Sequence, residues 1–217
     1  MQSLSGFWNS FESVYVVVGY AQPNVAWTKK LSGDAGAVER LVRAVVVERD
    51  KLGRSPPPPV LLKLGPDGTT ESRAHLAHVA VAAGVDGIVI SNTSAPTAEG
   101  VPRGGLGSEH RGEAGGLSGA PLKEVAKVVC AEMYQLTGGK IPIIGVGGVD
   151  SGEAAYARIR AGASLLQLYT ALVYKGPGLV CDIQDELREL LAKDGFKDVS
   201  EAVGVDASKI APCVTEV

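Results

Sequence analysis

Five short apolar runs, each followed by a helical pattern, constrain the fold of this 217-residue chain more than any other feature. Each run is continuous and rich in Val, Ile or Leu, as is typical of strands buried on both faces of a parallel sheet. Because strand and helix alternate, the sequence predicts an α/β fold with a parallel sheet. The predicted strands cover residues 14–18, 60–64, 87–91, 141–146 and 165–170.

The segments between these runs carry the start and stop signals of helices. An apolar stripe from Val38 to Val46 has helical spacing, and Gly53 lies just past its end. A second pattern begins near Thr70 and stops at Gly84. Three further helices are predicted to begin near Pro121, Ser151 and Pro177.

Composition and charge narrow the classes of function. Lys and Arg number 21 against 24 Asp and Glu, and the net charge of -3 gives no electrostatic footprint for nucleic acid. No apolar run reaches the roughly 18 residues of a membrane-spanning helix, and no signal or transit peptide is visible. Cys130, Cys181 and Cys213 lack metal-ligand spacing and are interpreted as reduced, mostly buried thiols of an intracellular protein. His75 and His78 are interpreted as a surface pair within a helix, so no metal site is predicted.

Three glycine- or hydroxyl-bearing segments follow one another in the second half of the chain. They are Gly115–Gly119, Ile143–Gly148 and Gln167–Thr170. Glycine lets a backbone approach an anion closely because no Cβ stands in the way. The residues after the last two strands of a (β/α)8 barrel often form a phosphate site. These segments therefore predict a phosphate-binding edge.

From about Val14 to Val205 the chain resembles class 2 dihydroorotate dehydrogenase, the quinone-linked flavin enzyme of pyrimidine synthesis. The resemblance is carried by the three segments above, together with Leu61–Asp67 and Ile90–Thr93, in this order. It implies a (β/α)8 TIM barrel, of which this chain supplies an incomplete barrel of about five parallel strands. The implied division is a non-matching segment at 1–13, an FMN-binding partial barrel at 14–205 and a C-terminal tail at 206–217.

The resemblance also implies the residues of a site. A reduced flavin ring carries negative charge, which a nearby cation such as Lys63 would stabilise. An Asn side chain supplies both a donor and an acceptor to a planar orotate-type substrate. The implied FMN-binding residues are Lys63, Ser91, Gly119, Gly148, Tyr169 and Thr170, and the implied substrate-binding residues are Asn24, Asn92 and Thr93.

The chain departs from the family pattern where the catalytic base is expected. Gln22 occupies the position of the family's proton-abstracting serine, and a neutral amide is not a useful base. Val25 stands where the family has an assisting threonine, and Gly19 where it has an asparagine. The first three barrel strands and the membrane-anchoring helices of class 2 have no counterpart here. We therefore expect a truncated, catalytically impaired protein with two open sheet edges and weak FMN binding.

Several readings of function remain open. The first is oxidation of dihydroorotate to orotate, with electrons passing to FMN and then to a quinone, at the mitochondrial inner membrane in a eukaryote. The alternative is a non-catalytic half-barrel that binds FMN or phosphate and acts as an interaction module. A third is another FMN-binding or phosphate-binding barrel enzyme, such as a dihydropyrimidine-type dehydrogenase. The amino-acid sequence of Gly115–Leu122 argues against this third interpretation.

Overall fold

The computed structural model describes residues 15–19, 34–95 and 115–212. Their centre is a parallel sheet of five strands that lie in sequence order, β1-β2-β3-β4-β5. Neighbouring strands in space are thus consecutive along the chain, as in a βα-barrel, but the described sheet does not close. The predicted α/β class is confirmed, and each of the five predicted runs overlaps a strand, although the bounds of some strands differ. The strands are β1 (Val16–Gly19), β2 (Val60–Leu64), β3 (Gly87–Ile90), β4 (Ile143–Val146) and β5 (Ala163–Gln167).

Helices connect the strands and continue after β5. The connecting helices are α1 (Ala35–Asp50), α2 (Thr70–Ala83), α3 (Lys123–Leu136) and α4 (Gly152–Arg160). The helices after the last strand are α5 (Thr170–Lys175), α6 (Leu179–Lys193), α7 (Val199–Ala202) and α8 (Ala207–Ile210). None of the helices in the described ranges is long and apolar enough to cross a membrane.

Most helix ends fall where the sequence signals place them. The Ser151 side chain caps α4 by accepting a hydrogen bond from the amide of Ala154, as predicted. Gly84 ends α2 in the left-handed conformation that glycine adopts without strain. Pro121 lies in a short 3-10 turn, and α3 begins just after it at Lys123.

The last strand differs from its prediction. β5 runs from Ala163 to Gln167, whereas the expected run was 165–170. Its end is set by its neighbour: Val146, the last residue of β4, pairs with Gln167, so the ladder has no partner beyond that point. Thr170 consequently begins a helix instead of ending a strand.

Side chains alternate between the two faces of the sheet along each strand, so that one face packs on the helices and the other faces the cavity. Val60, Leu62 and Leu64 are buried in the main apolar cluster between the sheet and helices α1 and α2. Lys63 lies between them in sequence and therefore points to the opposite face of the sheet. This face is the one that carries the candidate site.

Buried charges and polar groups fasten the outer helices. Arg73 on α2 pairs with Glu132 on α3, and both side chains are nearly buried. In the segment expected to be a C-terminal tail, Asp206 pairs with Arg160 on α4. Gln135 on α3 donates to the carbonyl of Ala207, which is itself buried in the main core. The chain up to Ala211 therefore packs on the same body as the sheet.

Candidate functional site

A cavity of about 700 Å³ opens at the carboxyl ends of β2 to β5. Ligand sites in parallel α/β folds gather at this edge. Gln22 and Asn24 lie outside the described residues, as does Val25. All the other predicted cofactor and substrate residues line this one cavity: Lys63, Ser91, Asn92, Thr93, Gly119, Gly148, Tyr169 and Thr170.

Lys63 brings a cation to the floor of the cavity. It is the fourth residue of β2, and its neighbours in the sheet are Gly19 on β1 and Val89 on β3. Burial lowers the pKa of its ammonium group below the ordinary lysine value. Among the described residues no acid pairs with it. An anionic group bound beside Lys63 would therefore relieve an unfavourable desolvation.

The exit from β3 presents three polar residues to the cavity. The amide of Ser91 donates to the carbonyl of Val146 at 2.9 Å, and that of Asn92 donates to Leu64 at 2.8 Å. Ser91 is 3% exposed, and its hydroxyl has no hydrogen-bond partner in the described part of the chain. Because buried hydroxyls are usually hydrogen-bonded, the unpartnered hydroxyl of Ser91 points to a ligand that would bind here.

The same loop is tied down by a residue that sequence reasoning did not assign to the site. Asp67, after β2, accepts a hydrogen bond from the amide of Ala95 at 2.5 Å. Ser94 and Leu117 pair through two backbone hydrogen bonds of 3.0 and 2.8 Å. These contacts fix the loop that carries Thr93 on both sides. The only signal for Asp67 was its place in the Leu61–Asp67 segment.

Two glycines allow the backbone to approach the cavity closely. Gly119 and Gly148 both have positive φ, of 79° and 71°. A Cβ on Gly148 would lie 2.5 Å from the backbone of Lys123, and one on Gly119 would lie 2.9 Å from Thr170 Cγ2. The Thr170 and Ser118 hydroxyls hydrogen-bond to each other at 2.9 Å across this junction.

Backbone donors converge at the same end of the cavity. In the described ranges, the amides of Gly119, Gly148 and Thr170 have no backbone acceptor. Thr170 is also the first residue of α5, where helix amides point outward. Such groups of free N–H donors bind phosphate and other anions. Tyr169 lines this end with a largely exposed ring.

Two lysines that contact the cavity-lining residue Asp150 were missed by the sequence reasoning. Lys175 lines the cavity and donates to the carbonyl of Asp150 at 2.8 Å. Lys123 pairs with the Asp150 carboxylate at 2.7 Å. Neither lysine belongs to an apolar strand run, so no pattern in the sequence marked them.

The described residues hold no cluster of three His, Cys, Asp or Glu side chains arranged to bind a metal. His78 is exposed, as predicted, whereas His75 is only partly so and its Nε2 is buried without a partner in the described residues. Cys130 is buried, but Cys181 is exposed, contrary to the expectation of mostly buried thiols. Cys213 lies outside the described residues.

A parallel sheet in sequence order, with flanking helices and a cavity at its carboxyl edge, defines a protein of the βα-barrel class. The chain belongs to the dihydroorotate dehydrogenase family, whose model matches residues 10–191.

Individual relatives agree with this assignment. A dihydroorotate dehydrogenase (quinone) of Rhodospirillum rubrum is 44% identical over 208 residues, which cover 91% of this chain and 54% of that protein. The mitochondrial dihydroorotate dehydrogenase (quinone) of Mus musculus is 45% identical over 192 residues, covering 88% and 47%. A crystal structure of the ligand-free enzyme from Eimeria tenella superposes with a TM-score of 0.81 at 33% identity, covering 89% and 56%. The chain thus spans about half the length of the curated relatives it matches.

Proposed function

We propose that this chain binds FMN in the cavity and takes part in dihydroorotate oxidation of the quinone-linked type. The observation that carries the proposal is the convergence of eight residues on one cavity. In the sequence these residues lie in separate segments, and the resemblance had assigned all of them to flavin or substrate. The relatives named above are dihydroorotate dehydrogenases, and two of them carry the quinone designation.

The residues present fit an FMN molecule. A cavity of about 700 Å³ lies in the size range of cofactor sites. The amides of Gly119, Gly148 and Thr170 suit the phosphate because they have no backbone acceptor in the described residues. Glycine is needed at positions 119 and 148 because a Cβ there would crowd the neighbouring residues. Lys63 and the unpartnered hydroxyl of Ser91 suit the flavin ring.

FMN supplies two-electron redox chemistry when it is bound. The residues of the chain would hold the cofactor, orient the substrate and stabilise the charge that develops. The Lys63 ammonium would stabilise negative charge at the ring. Asn92 and Thr93, held by the anchored β3 exit, would orient the substrate's amide and carboxylate groups. Asn24 is proposed to join them on the basis of its sequence match.

Proton abstraction is the weak point of this chain. Gln22 stands at the family's base position, and losing a general base typically costs about 10²–10⁴-fold in rate. Val25 and Gly19 remove two further contacts that the family uses there. We propose that the chain binds FMN weakly and turns dihydroorotate over little or not at all. Quinone as the final acceptor, and a mitochondrial location in a eukaryotic host, follow the named relatives.

A flavin titration tests the proposal. FMN fluorescence should be quenched on binding to the chain, and Lys63→Met should weaken the affinity by roughly tenfold, the size of one hydrogen bond to a charged group. The same variant should slightly raise the melting temperature, because it removes a desolvated cation. Lys140→Met, an exposed lysine before β4 at the opposite edge of the sheet, is the matched control and should change neither quantity.

Turnover separates the enzymatic proposal from its alternative. Dihydroorotate with an artificial electron acceptor should give at most a trace of orotate from the unaltered chain. FMN binding with no turnover even after Gln22→Ser, Val25→Thr and Gly19→Asn together would favour the non-catalytic flavin-binding module. An absence of FMN binding would reject the proposal altogether.

A further inference from the structure

Arg158 is a buried cation directly behind the glycine loop of the cavity. It lies on α4 and is 2% exposed. Its guanidinium donates to the carbonyls of Val146 at 3.2 Å and Gly147 at 2.9 Å, where β4 ends. It also donates to the carbonyl of Lys123 at 3.1 Å, in the first residue of α3. Arg158 itself does not line the cavity.

We propose that Arg158 is a positioning residue that aims the amide groups of the glycine loop at a phosphate-type anion. The C=O and N–H of a trans peptide lie in one plane and point in opposite directions. Because Arg158 holds the carbonyl of Gly147, the amide of Gly148 points away from Arg158, on the side of the cavity that Gly148 lines. The carbonyl of Val146 accepts from Arg158 and also from the amide of Ser91, and these two contacts together orient the amide of Gly147. The inference rests on the phosphate end of the proposed FMN site.

Free donors at these positions support the assignment. The amides of Gly147 and Gly148 have no backbone acceptor among the described residues. An unpaired amide in a lined cavity normally finds a ligand or water. Both Nη atoms of Arg158 thus donate to carbonyls, while its buried Nε has no hydrogen-bond partner in the described residues. The opposite ends of the Val146 and Gly147 peptides remain available to an anion.

The charge of Arg158 acts in the same direction. Its hydrogen-bond acceptors are neutral carbonyls, and no carboxylate forms an ion pair with it in the described part of the chain. Burial lowers the pKa of its guanidinium, and the thiol of Cys130 and the carboxylate of Glu124 oppose that shift. An arginine nevertheless remains protonated in proteins. Glu124 is itself paired with Lys127, so the positive potential behind the loop is not cancelled locally.

The sequence makes room for this side chain at Gly145. A Cβ on Gly145 would lie 2.5 Å from Arg158 Cγ and 3.0 Å from the Cβ of Ala163. Its backbone has no positive φ, so conformational freedom does not explain the glycine. Gly145 therefore leaves space for the Arg158 side chain, whereas Gly148 allows the backbone to lie close to Lys123 at the cavity.

Comparing FMN with riboflavin, which lacks the phosphate, separates positioning from plain stability. Arg158→Met and Arg158→Gln should weaken FMN about tenfold or more, the effect of losing one well-placed hydrogen bond to a charged group. Riboflavin affinity should change less than about twofold, because nothing in it depends on the loop amides. Arg158→Lys keeps the charge but not all three carbonyl contacts, so it should weaken the preference for FMN by an intermediate factor of about threefold. Arg188→Met, an exposed arginine on α6 paired with Asp185, is the control.

A parallel weakening of FMN and riboflavin in the Arg158 variants would overturn the inference and leave the proposed FMN function standing. If Arg158→Met and Arg158→Gln do not fold, Arg158→Lys decides: a fall of about threefold in the preference for FMN over riboflavin supports the role, and an unchanged preference refutes it.

A second measurement distinguishes failure of the two proposals. Inorganic phosphate should shift the NMR signal of the Gly148 amide in the unaltered chain and not in Arg158→Gln. This result in a chain that binds no FMN would keep the positioning role and reject the FMN proposal. A Gly148 amide that phosphate leaves unmoved, in a chain that binds FMN and riboflavin equally, would reject the positioning role.

Discussion

Gly148→Ala should be far more destabilising than an ordinary glycine substitution at positive φ. At φ 71° an alanine meets the left-handed penalty of roughly 1–2 kcal/mol. Its Cβ would also lie 2.5 Å from the backbone N and Cα of Lys123. Backbone atoms at the start of a helix cannot rotate away as a side chain can, so an overpacking cost of about 1–3 kcal/mol is added. The expected total loss of unfolding free energy is about 2–5 kcal/mol.

Gly195→Ala is the matched control. Gly195 follows α6 with φ 80°, and a Cβ added there would have no atom of the described residues within 4 Å. It should therefore show the backbone penalty alone, roughly 1–2 kcal/mol. Urea denaturation of both variants, followed by circular dichroism, gives the two free energies directly. The difference should correspond to an additional drop in melting temperature of about 2–12 °C.

Equal destabilisation of Gly148→Ala and Gly195→Ala would refute the contact argument at the cavity. It would mean that the loop and the start of α3 move apart at little cost. The close approach of Gly148 to Lys123 would then be no reason for glycine at that position.

Three further outcomes follow from the packing. Arg73→Met should cost about 3–5 kcal/mol in urea denaturation because it strands the buried Glu132 carboxylate, and the added change Glu132→Leu should restore much of the loss. In a Cys213→Ala background, a thiol reagent should label exposed Cys181 in the native protein, whereas Cys130, whose pKa burial raises to about 12, should react only on unfolding. Hydrogen bonds from Arg160 hold the pKa of Asp206 at about 2, below its unfolded value of about 3.9. The stability from this pair is therefore present above about pH 4 and lost as the pH falls towards 2, and Asp206→Asn should flatten that part of an acid-denaturation curve.

Much of the fold was predictable because the signals were local. Strand β2 is a continuous apolar run that coincides with its prediction, and α2 begins and ends at the predicted residues. The end of β5 was not predictable from its own residues, since it depends on where β4 stops. A rule that reads one segment at a time cannot see a boundary that a neighbouring strand imposes.

The candidate site divides in a similar way. Lys63 and Gly148 stand at strand ends, where both the residue type and the position carry a signal. Arg158 stands in a helix of ordinary composition, and its importance comes from three carbonyls supplied by two other elements. Asp67 likewise matters through a contact 28 positions along the chain. Long-range contacts of this kind leave no periodic trace in a sequence.

The proposed phosphate end of the cavity is built from a nearly contiguous stretch of chain, between the Ser118 and Thr170 hydroxyls that meet across it. Its supports, including the contact of Arg158 with Lys123, lie inside the same stretch. The proposed chemical end draws on earlier residues, Gln22 among them. Anchoring of the phosphate and transformation of the substrate are therefore proposed to lie in separable parts of the gene. A lineage could lose one by drift at a few early codons and still be selected for the other.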